Sequence, residues 1–406
     1  MSRTLTRTSV HTPPPAPEPR GLARVGATAR LKLGEIFRSE SRVFYLILGV
    51  TTLLVVFGLV MVLSASTVTS HLDGEGFTGR FGKQLIFALI GIPLMLMMSR
   101  APLGFWKKWG RLALWITAGV QLLVFVPGIG IEAGGNRNWI NLFGYNAQPS
   151  EAIKLSLAIF LGIALPVSIS RFGQTHRALM PLLAGVALMV LVFLGGDLGT
   201  IFILLLVSFG AVLFAGIRLR LLVIPLMIVS ATVAIMAFFS SSRVTRIINF
   251  YSLVCTDDSV NDCWQPMHGM WALARGGLFG VGFGNSKLKW AWLPAADNDY
   301  IFAIIGEELG LIGCLVLLAL LVVLAFGLVR VIREATDPMI RITTGAILFW
   351  FCGQAFLNIA VVLGLVPVLG LPIPFVSSGG TALLTALMAT GVVLSFARHN
   401  NKTSQG

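Results

Sequence analysis

The sequence predicts an all-helical integral membrane protein of about ten transmembrane helices with both termini in the cytoplasm, and three observations carry that reading. Hydrophobic residues make up 56% of the chain and charged residues only 12%, whereas a soluble globular chain is charged at roughly a quarter of its positions. Apolar runs recur along nearly the whole length, each fit to cross a hydrocarbon core of about 30 Å, which takes about 20 residues of helix. The remaining charges gather in short loops and tails. Backbone facing lipid has no water to bond, so the spans must satisfy their own polar groups as helices.

Residues 1 to 42 hold the Pro-rich stretch from His11 to Pro19 and eight Lys or Arg, with no long apolar run. They read as a disordered cytoplasmic tail. They lack the pattern of a cleaved secretory signal, and the first apolar run is long enough to remain as an anchor. Candidate spans follow at residues 43 to 64, 81 to 98, 110 to 128, 149 to 168, 180 to 195, 199 to 216, 221 to 240, 300 to 329, 342 to 368 and 380 to 397. Alternate short loops carry Arg100, Lys107, Lys108 and Arg111, then Arg171 and Arg177, then Arg218 and Arg220, then Arg330, Arg333 and Arg341. The short loops between them hold little beyond Arg80 and Arg137. An excess of Lys and Arg marks the cytoplasmic side, so both tails, including residues 398 to 406, are expected there. The net charge of +13 reflects that rule and the pull of anionic headgroups. It forms no single basic stripe with interleaved aromatics, which argues against a nucleic-acid partner.

Residues 241 to 299 break the pattern as a long polar insertion on the outer side, rich in Gly, Asp, Asn and Trp. Insertions of this length are usually functional or disordered. Trp264, Trp271, Trp290 and Trp292 suit either that function or an interfacial aromatic belt. Cys255 and Cys263 bracket a polar stretch, and in an oxidising exterior they would close a small disulfide loop, two unpaired thiols being the alternative.

Charge within or at the rim of a helical bundle is expensive, so each such residue is a candidate for function. Gly134-Gly-Asn-Arg-Asn-Trp-Ile140 runs into Gln148-Pro-Ser-Glu-Ala-Ile-Lys154, where Pro149 suits a first helical turn and Glu151 complements the helix dipole. Glu151 and Lys154 share a helix face, as a salt bridge or as the wall of a substrate cavity. Asp197, in Gly195-Gly-Asp-Leu-Gly-Thr200, either caps the next helix or faces a polar substrate. In Asp297-Asn-Asp-Tyr-Ile-Phe-Ala-Ile-Ile-Gly-Glu-Glu-Leu-Gly310, Glu307 and Glu308 fall about two turns below Asp299, at a depth that favours a protonated or paired structural role. Asp299 stands at the rim. A carboxylate beside an apolar wall yet reachable from outside has the setting of a general base, with helix capping as the plainer alternative. Leu371-Pro-Ile-Pro-Phe-Val-Ser-Ser-Gly-Gly380 implies irregular backbone packed against protein or a watery cavity.

Five ordered motifs, Gln148-Pro-Ser-Glu151 with Lys154, Asp197-Leu-Gly-Thr200, Gly282-Phe-Gly-Asn-Ser286, the segment from Asp299 to Gly310, and Ser378-Gly-Gly380, resemble those of the FtsW and RodA proteins, the SEDS family. The resemblance covers residues 43 to 397, and the extended tail resembles the FtsW branch of actinobacteria. It implies polymerisation of lipid II into glycan strands at the outer face of the cytoplasmic membrane, at the division septum. It also implies partnership with a class B penicillin-binding protein and other division proteins of the membrane. The family's essential aspartate maps onto Asp299, within a His-Thr-Asp-Phe type motif that here reads Asp297-Asn-Asp-Tyr300, so Asp297 stands where His is usual. Family members commonly place Arg just before the loop Trp, where this chain has Asn138, with Arg137 one position earlier. Cys263-Trp-Gln265 replaces a Gly-Tyr-Gln segment.

In that chemistry a sugar hydroxyl attacks an anomeric carbon and expels polyprenyl diphosphate, which needs a base near the acceptor and positive charge near the leaving group. Asp299 takes the base role. Lys154, Arg243, Arg246, Arg275 or a divalent cation, Mg2+ or Mn2+, would meet the diphosphate, with Glu151, Asp197, Arg137 and Gln265 as further substrate-facing groups. Two rival readings are a lipid II flippase, which would concentrate polar groups near the midplane, and a scaffold that only recruits the crosslinking enzyme.

Overall fold

The computed structural model describes residues 40–222 and 260–405, except 73, 75, 77, 134, 135, 143, 144 and 291. Ten α-helices run through the described residues: α1 Arg42–Leu72, α2 Gly79–Met98, α3 Leu103–Leu122, α4 Pro149–Phe172, α5 Leu182–Leu194, α6 Leu198–Ala215, α7 Val260–Gly276, α8 Ile301–Arg333, α9 Pro338–Val362 and α10 Gly380–Gln405. Seven of these, α1, α2, α4, α6, α8, α9 and α10, are long and apolar enough to cross a membrane. Helix α5 is shorter, at 13 residues, and α3 carries Lys107, Lys108 and Arg111 among its apolar residues. The span expected over residues 221 to 240 falls almost wholly outside the described residues, as do residues 1 to 39 of the tail.

Local signals start and stop the helices. Pro149 opens α4 and Pro338 opens α9, each in the first turn, where a missing N–H costs nothing. Asp337 caps α9 by accepting from Met339 N at 2.9 Å. Gly216 ends α6 in the left-handed region, at φ 73°. Where helices cross tightly, glycine lets the backbones approach. Gly210 of α6 lies against Phe349 and the Gly345 carbonyl of α9, and Gly345 lies under the Phe214 ring. Without a hydrophobic force between helices in lipid, close packing of this kind supplies much of the association.

The helical reading needs one addition. Between α3 and α4 the chain forms a three-stranded antiparallel sheet, β1 Gly130–Ala133, β2 Asn136–Leu142 and β3 Tyr145–Ala147, with a register shift at Ile131/Glu132. Along β2, Asn138 and Ile140 are buried while Arg137 and Trp139 are partly exposed, the alternation a half-buried strand requires. The sheet is pinned to the α5–α6 turn by Arg137 N donating to Gly195 O at 2.8 Å.

A second addition concerns the polar insertion. Its described part holds α7 and a compact return loop, residues 277 to 299, both packed along the first half of α8. Gly269 lies against the Tyr300 ring, Gly276 against the Gly306 carbonyl and Gly280 against the Glu308 carbonyl. Helix α8 breaks at Gly310, with φ 69° and ψ −165°, so Leu311 and Ile312 cannot bond back to Glu307 and Glu308. The loop takes over both halves of those lost bonds. Leu311 N donates to Gly277 O at 3.0 Å and Ile312 N to Leu278 O at 3.3 Å, while Val281 N reaches Glu307 O at 2.9 Å and Gly282 N reaches Glu308 O at 3.1 Å. Non-helical backbone survives at this depth because protein satisfies every group the break releases.

Contacts between the loops sort them onto two ends of the bundle. The sheet, the α5–α6 turn, the turn before α8 and the segment from Leu363 to Gly379 lie at one end, termed the mouth. The other end carries Lys107, Arg177, Arg218 and Arg333 in or beside its loops, with Lys107 paired to Asp337 at 2.5 Å.

Candidate active site at the mouth of the bundle

Asp299 sits two residues before α8 begins. Its Oδ1 is buried without a hydrogen-bond partner, and Gly370, with no side chain to fill the space, lies beside its Oδ2. The alternative of helix capping is not realised, since the cap position of α8 is Tyr300 and no side chain bonds the first turn. Burial, followed by the charges of Asp297 and Asp197, pushes the Asp299 carboxyl up to about 7 from its ordinary 3.8. A group with that proton affinity can exchange a proton near neutrality.

Three elements hold the turn that carries Asp299. Asn358 of α9 donates through Nδ2 to the Asp299 carbonyl at 2.7 Å and to Leu371 O at 2.6 Å. Asp297, 1% exposed, accepts from Arg80 Nη1 at 3.0 and 3.3 Å, and its carbonyl accepts from Ser378 N at 2.8 Å. The residue that replaces the family's usual His is thus an ion-pair partner for α2. Gln84, one turn along α2, donates to Ser377 O and accepts from Gly379 N, both at 3.1 Å, which ties the Ser-Gly-Gly segment to the same helix.

Asp197 both caps α6 and faces the site. Its Oδ1 accepts from Thr200 N at 2.8 Å, and its Oδ2 accepts from the Thr200 hydroxyl at 2.6 Å and from Gln148 Nε2 at 2.7 Å. Lys154 is fully buried. It reaches Glu151 Oε1 at 2.7 Å and Gln354 Oε1 at 3.2 Å, with its ammonium 5.1 Å from the centre of the Trp350 ring. The pair is a buried salt bridge under the mouth, and Gln354, which also accepts from Trp350 Nε1 at 2.8 Å, ties it to the Pro372 carbonyl at 2.7 Å.

Glu307 and Glu308 are both fully buried and are partnered at the α8 break. Glu308 accepts from Ser64 of α1 at 2.7 Å and from Lys289 Nζ at 3.0 Å. Glu307 accepts from the Ser286 hydroxyl at 2.5 Å and from Lys287 N at 3.1 Å, with Arg275 3.6 Å away. The Gly282–Ser286 motif therefore grips the two carboxylates as well as the helix break. Gln265 donates to Pro294 O at 3.0 Å and braces the loop. Trp264 stacks on Trp292 at 5.9 Å with His268 beside both rings.

The structure thus gathers Asp299, Asp197 and, just below, Glu151 and Lys154, while Gln265, Arg275, Glu307 and Glu308 belong to the loop that packs on α8. Arg137 lies in β2. Arg243, Arg246 and Cys255, and with Cys255 the disulfide expectation, lie outside the described residues. Among the described residues no group of three or more His, Cys, Asp or Glu is arranged to hold a metal ion. The residues that sequence reasoning missed are Arg80, Gln84, Lys289, Gln354 and Asn358. A signal existed for Gln354 and Asn358, since amides inside an apolar span call for partners.

Fold and site define a polytopic helical membrane protein with a buried carboxylate, one oxygen unbonded, at one mouth of its bundle. The chain belongs to the FtsW/RodA/SpoVE family of cell cycle proteins, whose model matches residues 44–402. It is 37% identical over 374 residues to the probable peptidoglycan glycosyltransferase FtsW of Mycobacterium tuberculosis, covering 92% of this chain and 71% of that protein. Over 358 residues it is 32% identical to the stage V sporulation protein E of Bacillus subtilis, covering 87% and 97%. Among solved structures, a chain from a peptidoglycan synthase complex superposes with a TM-score of 0.71 at 21% identity, covering 87% of this chain and 97% of that one. The rod shape determining protein RodA of Thermus thermophilus gives 0.65 at 21% identity, with 89% and 98% covered. The shared fold survives at that identity.

Proposed function

We propose that this protein is a peptidoglycan glycosyltransferase of the FtsW kind, polymerising lipid II into glycan strands during cell division, with Asp299 as its general base. One observation carries the base assignment: a carboxylate oxygen buried at the mouth without a partner, on a group whose proton affinity is raised to about 7. In the reaction the 4-hydroxyl oxygen of the acceptor sugar forms a bond to C1 of the lipid-linked donor. The bond from C1 to the diphosphate oxygen breaks, its electron pair leaves on the diphosphate, and the hydroxyl proton passes to Asp299. Low polarity around Asp299 strengthens it as a base, and a site fixed by Asn358, Ser378 and Arg80 needs little reorganisation as charge moves.

The mouth faces the cell exterior in this reading. The basic loops at the other end mark the cytoplasmic side, and the start of α1 and the end of α10 lie there. Both substrates carry long prenyl chains, so an active site at the membrane rim lets the tails stay in lipid while the headgroups meet outside. A class B penicillin-binding protein is the expected partner, crosslinking the strands as they emerge. The Asp299, Asp197 and Asp297 groups cluster at one end of the bundle instead of lining a path through it, which favours glycosyl transfer over translocation.

The test is polymerisation of lipid II by the purified protein with its cognate class B penicillin-binding protein, wild type against Asp299→Asn at matched folding. Polymer from the wild type and none from the variant is the expected result. Equal polymer from both removes Asp299 from the chemistry, and headgroup translocation without polymer would make the protein a flippase.

A further inference from the structure

We infer that Gln354 and Asn358 of α9 are positioning residues that couple the buried Glu151–Lys154 ion pair to the turn carrying Asp299; the inference deepens the glycosyltransferase reading and rests on it for the reaction that Asp299 serves. The two amides stand four residues apart on one face of α9, and both are 2% exposed. They grip consecutive carbonyls of the segment before α10: Asn358 Nδ2 donates to Leu371 O at 2.6 Å and Gln354 Nε2 to Pro372 O at 2.7 Å. Asn358 Nδ2 also donates to the Asp299 carbonyl at 2.7 Å, and Gln354 Oε1 accepts from Lys154 Nζ at 3.2 Å. A continuous chain of contacts therefore runs from α4 through α9 to the turn of the base.

Chemistry fixes the direction of each amide. Lys154 Nζ and Trp350 Nε1 are both donors, so the atom of Gln354 that meets them is its oxygen, and its nitrogen is left for Pro372 O. Asn358 gives its N–H groups to the Asp299 and Leu371 carbonyls, and its Oδ1 is buried without a partner, as is Asp299 Oδ1. Bonding is thus complete at Gln354 and incomplete only beside the base. The clamped segment is also the wall on which the carboxylate rests, because Asp299 Oδ2 lies beside Gly370, the residue before Leu371.

The ion pair itself calls for a role of this kind. Taking two charges out of water offsets most of their attraction, so a buried pair adds little to stability, and its best attested use is to fix a register. Glu151 is 3% exposed and Lys154 fully buried. The cavity beside Glu151 measures about 10 Å³, space for one water, which puts the pair out of reach of a sugar or diphosphate headgroup. Its bearing on the reaction then passes through Gln354, whose amide it orients. The charged groups that face Asp299 are Asp297, held by Arg80, and Asp197, neither of which belongs to the chain.

Lipid II polymerisation by the full-length protein with its class B penicillin-binding protein would be measured for wild type, Gln354→Met and the double variant Glu151→Gln, Lys154→Met, which removes the pair without leaving a lone buried charge. The Asp299 carboxyl would be titrated in the same proteins through its infrared C=O band, assigned by its absence in Asp299→Asn. Ser395→Ala, which loses the bonds to Trp106 and the Ala101 carbonyl at the other end of the bundle, serves as the comparator. Both chain variants are expected to lose about tenfold or more in kcat with KM unchanged, as for a misplaced catalytic group. Their Asp299 titration midpoint should fall below that of the wild type as water reaches the carboxylate, and Ser395→Ala should show neither change. Adding Gln354→Met to the double variant should cost little more, because the chain is already cut. Should Gln354→Met not fold, the double variant decides alone. A raised KM with kcat and midpoint unchanged overturns the inference and makes the pair a substrate contact, and an equal shift in Ser395→Ala overturns it as general loosening. The infrared titration needs no turnover, so a midpoint that moves in a protein making no polymer upholds the chain and removes the glycosyltransferase reading. A polymerising protein with kcat and midpoint unchanged in both variants does the reverse.

Discussion

Arg80 Nη1 lies 3.0 Å from Asp297 Oδ1, joining the start of α2 to the turn that presents Asp299. Asp297 is almost fully buried, so its charge is screened little by solvent, and it is the larger of two acidic neighbours that raise the Asp299 proton affinity. Burial is the main cause of the raised affinity, and the ion pair fixes the turn and places the Asp297 charge that adds to it.

The polymerisation rate is expected to rise with pH through about 7, where the Asp299 carboxyl loses its proton, because only the carboxylate accepts the hydroxyl proton. Replacing Asp297 by Asn removes a charge that raises this affinity, so the limb that rises with pH should move to lower pH. A pH profile of initial rates for the two proteins checks it. A limb that stays in place would mean that Asp297 acts on Asp299 through geometry alone.

Asp299→Asn should lose activity and gain stability. The folded carboxyl titrates near 7 and the unfolded one near 3.8. Between those values the folded state holds a proton that the unfolded state has released, so wild-type stability falls as pH rises through this window, and the penalty is complete above it. The neutral amide escapes the penalty, by on the order of 2 kcal/mol after allowance for partial solvent access. Thermal unfolding in detergent at pH 8 and pH 5 should show the variant's advantage shrinking at the lower pH.

Removing Lys289 leaves the buried Glu308 with only Ser64 and the Ser286 amide. Breaking one side of a buried pair costs about 3–5 kcal/mol, whereas replacing both partners by apolar residues of similar volume is often near neutral. Lys289→Met is therefore expected to unfold at clearly lower temperature than the double variant Lys289→Met, Glu308→Leu. Equal melting temperatures would show that water reaches the pair.

Gly310 adopts φ 69° and faces the Gly280 amide and Leu278 carbonyl, leaving no space for a Cβ. Gly310→Ala should destabilise by at least about 1–3 kcal/mol, through strain at the left-handed position plus the steric conflict. Gly104→Ala, in a helix with open space around it, is expected to be neutral or to stabilise by about 0.5–1 kcal/mol. Melting temperatures of the two variants give the comparison.

Much of this protein was legible in its sequence because lipid imposes a simple rule. A spanning segment must be long, apolar and helical, so composition and run length locate α1, α2, α4, α6, α8, α9 and α10, and the cost of charge in that setting singled out Asp299, Asp197, Glu151, Lys154, Glu307 and Glu308 as residues that require a reason. What those residues touch was decided only in three dimensions. Arg80 meets Asp297, 217 positions away, and Ser64 meets Glu308, 244 positions away, pairings that carry no local periodicity. The sheet of β1 to β3 and the loop that heals the α8 break at Gly310 were hidden for the same reason: short strands and a backbone exchange between residues 277–282 and 307–312 are stabilised by hydrogen bonds between distant segments. Local sequence determined which elements form and where charge is costly, and tertiary packing decided which of those charges lie paired in the interior and which carboxylate is left facing the mouth with an oxygen unbonded.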